Sequence, residues 1–219
     1  MSTTYDRRLR RGRRTWDLAC ATYYGTLDRS RARTSLDELA LRHLELRPGE
    51  HVLDVGCGTG ATLPALRDAV GAEGRVAGVD YSPRMLARAE RRVRGHGWVN
   101  VTVRRADAAR ESLGHNEFDA ALALSSLSAM PDVGAAVEAA HAALRPGGRL
   151  FVFDMRLVPT GHLGKRLTTR LMRGVYRATA GFTGADVIAE LRRVFGSVSA
   201  VLPSGELGTT ITIALATKD

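Results

Sequence analysis

Val52-Leu53-Asp54-Val55-Gly56-Cys57-Gly58-Thr59-Gly60 is a short apolar run that passes directly into three glycines at alternate positions. An apolar run of this length bounded by glycine reads as a buried strand. Glycines placed immediately after it let the backbone turn sharply and approach a ligand with no Cβ in the way. A second strand-like run, Arg75 to Val79, ends at Asp80, 20 residues after Gly60. An acid at that place holds the hydroxyls of a ribose in open parallel sheets, so the ligand is read as a nucleoside-containing cofactor. A dinucleotide fingerprint has the spacing Gly-x-Gly-x-x-Gly and lays a pyrophosphate on a helix N-terminus. Here the order is Gly-x-Gly-x-Gly behind Asp54, and an acid ahead of the loop repels phosphate and suits a ligand with a cationic end.

Outward from this loop, strand-length apolar runs alternate with helical patterns. A helix is predicted over 36–46, where Ser35 and Glu38 have capping-box spacing. After Asp80, Ser82 caps a helix with Pro83 at its first position. Further strands are read at Val99 to Arg104, Phe118 to Leu124 and Leu150 to Asp154, and a helix capped by Asp132 is stopped by Arg145-Pro146-Gly147-Gly148. A helix from Gly184 to Val194 precedes two closing strands, Val198 to Leu202 and Thr209 to Ala216, whose short connection makes them antiparallel neighbours. The predicted fold is α/β: a Rossmann-like, doubly wound, seven-stranded and mostly parallel sheet with an antiparallel C-terminal strand, N-terminal helices, and a helical insertion after the fifth strand. One domain is expected over 1–219, divided into a basic N-terminal lid segment (1–34), a cofactor-binding core (35–155), a basic helical insertion (156–183) and a C-terminal helix with strands (184–219).

The chain has 219 residues, 44% hydrophobic and 25% charged, enough for one domain with a core. Its formal charge of +9 suggests nucleic acid at first sight. The excess is uneven. Residues 1–50 carry 11 Arg against 7 acids, 51–155 carry 12 bases against 12 acids, and 156–177 carry six bases and no acid. No apolar run reaches the ~18 to 20 residues of a membrane span, and the Arg-rich start is not followed by the apolar stretch of a secretory signal. Cys20 and Cys57 stand in unlike contexts, so neither a disulfide framework nor a cysteine-based metal site is available. A cytoplasmic setting is expected, with peripheral contact to a membrane as a further possibility.

With these residues in view, the chain resembles the class I S-adenosylmethionine-dependent methyltransferases over about residues 36–155. The resemblance rests on residues 52–60, Gly78-Val79-Asp80-Tyr81-Ser82 with Met85 and Leu86, Asp107-Ala108, Phe118-Asp119 through Met130-Pro131-Asp132, and Leu144-Arg145-Pro146-Gly147-Gly148-Arg149-Leu150, in that order. It implies S-adenosylmethionine as cofactor. Gly56, Cys57, Gly58, Gly60 and the neighbouring backbone would cradle the methionine part, with Asp54 near its amino group. Asp80 would take both ribose hydroxyls, and Tyr81 would lie against the adenine. Asp107 would accept from the adenine amino group, the Ala108 backbone would read the ring edge, and Leu124 to Ser126 would face the methionine end.

Absences narrow the acceptor. The turn after the fourth strand reads Leu124-Ser125-Ser126-Leu127-Ser128-Ala129-Met130, without the Asn/Asp-Pro-Pro-aromatic sequence that goes with amino methylation of adenine or cytosine. Neither cysteine lies in a substrate loop, as cytosine C5 chemistry requires, and the two lysines, Lys165 and Lys218, do not make a Lys-Asp-Lys-Glu tetrad. Nucleic acid is therefore an unlikely substrate. The resemblance is closest to the quinone, phospholipid and natural-product methyltransferases. Those often start with a Tyr-Asp repeat, of which Tyr5-Asp6 and Trp16-Asp17 look like a degraded version. They often carry a His-His pair where this chain has Ser128-Ala129, which puts histidine-assisted chemistry at that turn in doubt.

From His162 to Thr179, Leu163, Leu167, Leu171, Met172, Val175 and Tyr176 share one helical face, with Arg166, Arg170, Arg173 and Arg177 on the rest. Three readings stand: a surface helix covering the sheet edge, a lid over the substrate end of the sheet, or a basic amphipathic helix touching an anionic membrane. The N-terminal arginines near Trp16, Tyr23 and Tyr24 suit the other half of a lid. A general base is needed only for a hydroxyl, a protonated amine or an unactivated carbon, and the candidates are Tyr24, Asp154 and His162. His43 and His141 lie in helical patterns and read as structural. The alternatives to methyl transfer are a non-catalytic RNA- or membrane-binding module on the same fold, or a nicotinamide-dependent oxidoreductase, which the glycine spacing disfavours.

Overall fold

A computed structural model describes residues 3–22, 31–155, 184–200 and 211–219, together with Leu167, Arg170, Leu171, Gly174 and Val175. Seven strands form one sheet: β1 (His51–Val55), β2 (Arg75–Asp80), β3 (Val101–Arg105), β4 (Phe118–Leu124), β5 (Leu144–Met155), β6 (Ser197–Ala200) and β7 (Ile211–Thr217). Their order is β3-β2-β1-β4-β5-β7-β6. The first five are parallel, and β7 runs antiparallel between β5 and β6, as the sequence predicts. Six α-helices are seen among the described residues: α1 (Thr4–Thr22), α2 (Arg31–Leu44), α3 (Leu63–Val70), α4 (Pro83–His96), α5 (Val133–Ala143) and α6 (Val187–Val194).

The sheet is buried on both faces, which is why β1 and β4 are mostly apolar with little alternation, broken only by His51, Asp54 and Asp119. Successive side chains point to opposite faces. Leu53, Val55 and Ala121 therefore join one core with Val137 of α5 and Leu191 of α6. Val52, Leu122 and Phe151 join the other with Leu44 of α2, Leu66 of α3 and Ala89 of α4. Chain order reverses between β1 and β4, so the strand ends diverge there and leave a crevice at their carboxyl edge.

Several boundaries move from their predicted places. α2 starts at Arg31, so Ser35 lies inside it and forms no capping box; an Arg33–Asp37 ion pair at 3.0 Å, one turn apart, supports the added turn. β3 starts at Val101, because the Asn100 amide donates to the carbonyls of Gly71 and Gly74 at 2.9 and 2.8 Å and holds the chain short of the ladder. β5 starts at Leu144, which pairs with Phe118 before a register shift, so Pro146-Gly147-Gly148 is an irregularity within the strand. α6 starts at Val187, where the Asp186 carboxylate accepts from the Ile188 amide at 3.0 Å. The Ser82 and Asp132 caps stand as read, accepting from Met85 and Ala135 amides.

In the insertion, the backbone is helical at Leu167, Arg170, Leu171, Gly174 and Val175. Leu167 is 66% exposed, Leu171 70% and Val175 52%. At these described positions the apolar side chains face outward. The rest of the predicted amphipathic face lies outside the described residues.

Candidate cofactor site

The crevice holds a cavity of about 130 Å³. A single buried water needs only ~10–15 Å³, so this is a site and not a packing defect. Its floor is the loop after β1, where the Gly56 and Cys57 amides donate to the Val79 carbonyl at 2.8 and 2.9 Å. The carboxylate of Asp80 ties the walls together: Oδ2 accepts from the Gly58 amide at 3.0 Å and Oδ1 from the Ser82 amide at 2.7 Å. Burial raises the Asp80 carboxyl above its ordinary value, against the pull of these amides.

Asp54 lies beneath the loop at 2% exposure. Its Oδ2 has no hydrogen-bond partner among the described residues. Burial pushes its carboxyl up to about 7, with Arg33 opposing and the acids Asp37 and Asp80 adding to the rise. A desolvated carboxylate oxygen without a donor is costly, and an ammonium brought to the loop would relieve it. Beside it, nothing lies within 4 Å of where a Cβ on Gly58 would stand. The residues thus fit a cofactor with a cationic amino-acid end and a ribose.

The other predicted contacts divide. Cys57, Tyr81, Ala108 and Leu124 line the cavity. The guanidinium of Arg105 covers the Tyr81 ring at 4.6 Å. Burial raises the Cys57 thiol well above its ordinary value, so it packs as an apolar group over Gly78, where a Cβ would meet Sγ at 2.9 Å. Gly60 does not line the cavity; a Cβ there would meet Leu63 Cδ1 at 2.7 Å and Ala89 Cβ at 3.1 Å, so it admits close approach of α3 and α4. Asp107 is buried and engaged by the Tyr5 hydroxyl.

Asp154, read as a base candidate, is not on the cavity wall. It is 1% exposed, and its carboxylate accepts from the Ser128 hydroxyl at 2.5 Å and the Ser128 amide at 2.9 Å. It holds the turn after β4 to β5. Tyr24 and His162 lie outside the described residues. His43 stacks on Phe151 and His141 meets Phe195 edge-on, both within helix packing.

One group escaped the reading of the sequence, and a second was read only as part of the turn after β4. Arg33 reaches the cavity from α2 and hydrogen-bonds the Thr62 hydroxyl; its spacing from Asp37 was the available signal. Ser125, at φ 57, is in the left-handed region although it is not glycine, a strained conformation of the kind that collects at functional sites. The roof is α1, which sets Leu9, Gly12, Arg13 and Trp16 over the loop.

Residues 52–148 match the family model described as a methyltransferase domain. The chain is 34% identical over 176 residues to a demethylmenaquinone methyltransferase of Geobacillus stearothermophilus, covering 72% of this chain and 75% of the relative. It is 36% identical over 146 residues to the 27-O-demethylrifamycin SV methyltransferase of Amycolatopsis mediterranei, covering 66% of this chain and 51% of that protein. The chain spans about half the length of this and several other curated relatives it matches. Among solved structures, a SAM-dependent methyltransferase from Aquifex aeolicus superposes with a TM-score of 0.62 at 22% identity, over 89% of this chain and 96% of that one. The geranyl diphosphate C-methyltransferase of Streptomyces coelicolor gives 0.68 at 14% identity, over 85% and 79%; both share the fold. With one relative 34% identical over three quarters of its length and a methyltransferase-domain model matching residues 52–148, the chain belongs to the class I S-adenosylmethionine-dependent methyltransferases.

Proposed function

We propose that this chain catalyses methyl transfer from S-adenosylmethionine to a small, apolar or lipophilic acceptor. The observation that carries this reading is the pair of buried acids, Asp54 with an unpartnered oxygen and Asp80 at the end of β2, bracketing a glycine loop under a partly apolar roof. In this reading Asp54 receives the ammonium, Asp80 the ribose hydroxyls, Tyr81 the adenine face, and Asp107 with Ala108 its edge. The loop backbone at Gly56 and Gly58 holds the methionine part, and Leu124 to Ser126 stand beside it. When bound, S-adenosylmethionine supplies an activated methyl group. An in-line displacement asks of the protein mainly alignment and exclusion of water, and Leu9 and Trp16 of the roof with Met130 and Pro131 of the wall give the cavity an apolar lining suited to that task. Arg13, also in the roof, suits an acceptor that carries an acidic group. The quinone and natural-product names of the relatives support the same class. Incubating the chain with methyl-labelled cofactor and a cell extract, then identifying the labelled product by mass spectrometry, tests the reading; cofactor binding with no label transferred to any acceptor would leave a non-catalytic module instead.

The titration of Asp54 gives a check on its role. Its native carboxyl titrates at about 7 against an ordinary value of 3.8, so the folded chain binds the proton more tightly than the unfolded one. Asp54 therefore takes stability away as pH rises from about 4 to 7. A cationic ligand favours the ionised form, so S-adenosylhomocysteine should bind more tightly as pH rises from about 6 to 8. Asp54→Asn should weaken binding and flatten that dependence in a calorimetric series; an unchanged slope counts against the ammonium assignment.

Peripheral contact with an anionic membrane is a second reading, favoured by where the exposed apolar residues fall. Among the described residues, four of the five large exposed hydrophobics, Leu18, Leu167, Leu171 and Val175, lie in the two basic segments. On α1, Arg7, Arg8, Arg10, Arg11 and Arg14 are exposed, while Asp6 and Asp17 are engaged by Arg110 and Ser82. Each basic residue near an anionic surface contributes about 1 kcal/mol. The chain should float with anionic vesicles at low salt and not with zwitterionic ones, and Leu167→Glu with Leu171→Glu should reduce the bound fraction severalfold. No binding to anionic vesicles at low salt removes this reading.

A further inference from the structure

The N-terminal helix meets the cavity's adenosine side through one side chain. Tyr5 sets its hydroxyl 2.7 and 2.8 Å from the two carboxylate oxygens of Asp107, so the phenolic oxygen sits in the fork of the carboxylate. Arg110 holds the ring in place: its guanidinium lies 3.6 Å from the ring centroid and donates to Asp6 at 2.8 Å. At the other end of the helix, the Ser82 hydroxyl donates to Asp17 at 2.5 Å. Tyr5 and Asp17 are separated by about 18 Å of helix at ~1.5 Å per residue, and Leu9, Gly12 and Trp16 face the cavity between them. Ala106 and Ala108 line the cavity, but Asp107 between them does not.

We propose that Tyr5 is a positioning residue that latches α1 onto Asp107 and competes with the adenine amino group for that carboxylate, so that cofactor entry and release require the latch to open. The inference rests on the methyltransferase reading, through the role of Asp107. The Tyr5 oxygen sits at hydrogen-bond distance from both carboxylate oxygens, and Oδ1 also accepts from the Ala109 amide at 3.2 Å, so an amino donor entering the same fork meets the Tyr5 oxygen. A hydroxyl-to-carboxylate bond is charge-assisted and short, and partial burial strengthens it. Burial and the adjacent Asp107 carboxylate also raise the Tyr5 phenol above its ordinary value, so it remains a proton donor at neutral pH. The apparent dissociation constant of a ligand rises as the fraction of open, competent protein falls. A latch closed in roughly nine molecules of ten weakens cofactor binding about tenfold.

Tyr5→Phe keeps the ring under Arg110 and removes only the hydroxyl. Titrated with S-adenosylhomocysteine in a calorimeter, this variant should bind about tenfold more tightly than the wild type, by the same relation. A tyrosine that merely braces the roof or touches the cofactor would move affinity the other way. Arg110→Ala, which loosens the ring without altering Tyr5 or Asp107, should shift affinity in the same direction as Tyr5→Phe. In the wild type, amide hydrogens of residues 5–9 should exchange faster once S-adenosylhomocysteine is bound, and in Tyr5→Phe they should exchange fast without it. Equal or weaker binding by Tyr5→Phe, or protection of residues 5–9 by the ligand, overturns the latch alone. Absence of binding by the wild type and both variants overturns the cofactor reading and the latch with it.

Discussion

Asp80→Ala should abolish the rise in melting temperature that S-adenosylhomocysteine produces in the wild-type chain. In the structure this carboxylate already joins the two walls of the cavity, accepting from the Gly58 amide with one oxygen and from the Ser82 amide with the other. Each oxygen keeps further lone-pair capacity, which is where a pair of ribose hydroxyls would donate. Hydrogen bonds to a charged group contribute about 1.5–3 kcal/mol each. Losing two of them weakens binding by about 3 kcal/mol or more, roughly a hundredfold or greater. The alanine also leaves the Gly58 and Ser82 amides without their acceptor, so the unliganded variant should melt a few degrees below the wild type. Asp80→Asn separates these effects, since it keeps one acceptor and the shape but not the charge, and it should bind with intermediate affinity. A full ligand-induced shift in Asp80→Ala would refute the site assignment.

The second large effect concerns two glycines that look alike in the sequence. Gly56 and Gly58 both have positive φ, at 78° and 55°, so a side chain at either costs about 1–2 kcal/mol of backbone strain. Their surroundings differ. A Cβ on Gly56 would stand 2.4 Å from Ser126 Cβ and 2.9 Å from its Oγ, whereas nothing lies within 4 Å at Gly58. Ser126 cannot give way easily, because its hydroxyl donates to the Val55 carbonyl at 2.6 Å. Overpacking adds about 1–3 kcal/mol, so Gly56→Ala should lose about 2–5 kcal/mol in total against about 1–2 for Gly58→Ala. At roughly 2–4 °C per kcal/mol for a chain of this size, the two melting temperatures should differ by several degrees, with Gly56→Ala lower. Denaturant unfolding that shows equal losses would mean that Ser126 does not press on the loop in solution.

Features that depend on neighbours within one turn or one strand were legible. Ser82 caps α4 three residues ahead of its donor, with Pro83 already at the helical φ. The β4 run, Phe118 to Leu124, is apolar apart from Asp119, which pairs with Arg145 at the strand's start, because both faces of the rest are covered, and it appears as read. The glycine loop and the acid ending β2 carried the cofactor site for the same local reason. The start of α2 was misplaced because capping-box spacing at Ser35 competes with an ion pair reaching one turn further back, and single-residue signals cannot weigh the two.

Other features could not be read because their partners lie far along the chain. Asp154 looked available as a base at the end of β5, yet Ser128, 26 residues earlier, occupies its carboxylate. The neutral charge of residues 51–155 conceals a basic helix: α4 carries five arginines against one glutamate, and it packs beside the arginine-rich α1.

The amino-acid sequence by itself determined the alternation of strands and helices, the backbone freedom of the loop after β1, and the acid that ends β2, because periodicity and allowed φ act within a few residues. Only the tertiary structure decided which glycine tolerates a side chain, which acids remain available to a ligand, and that Tyr5 closes on Asp107 across 102 positions. Those outcomes depend on which surfaces come within van der Waals or hydrogen-bond distance. Packing of the whole sheet and its helices sets that distance, and no local pattern encodes it.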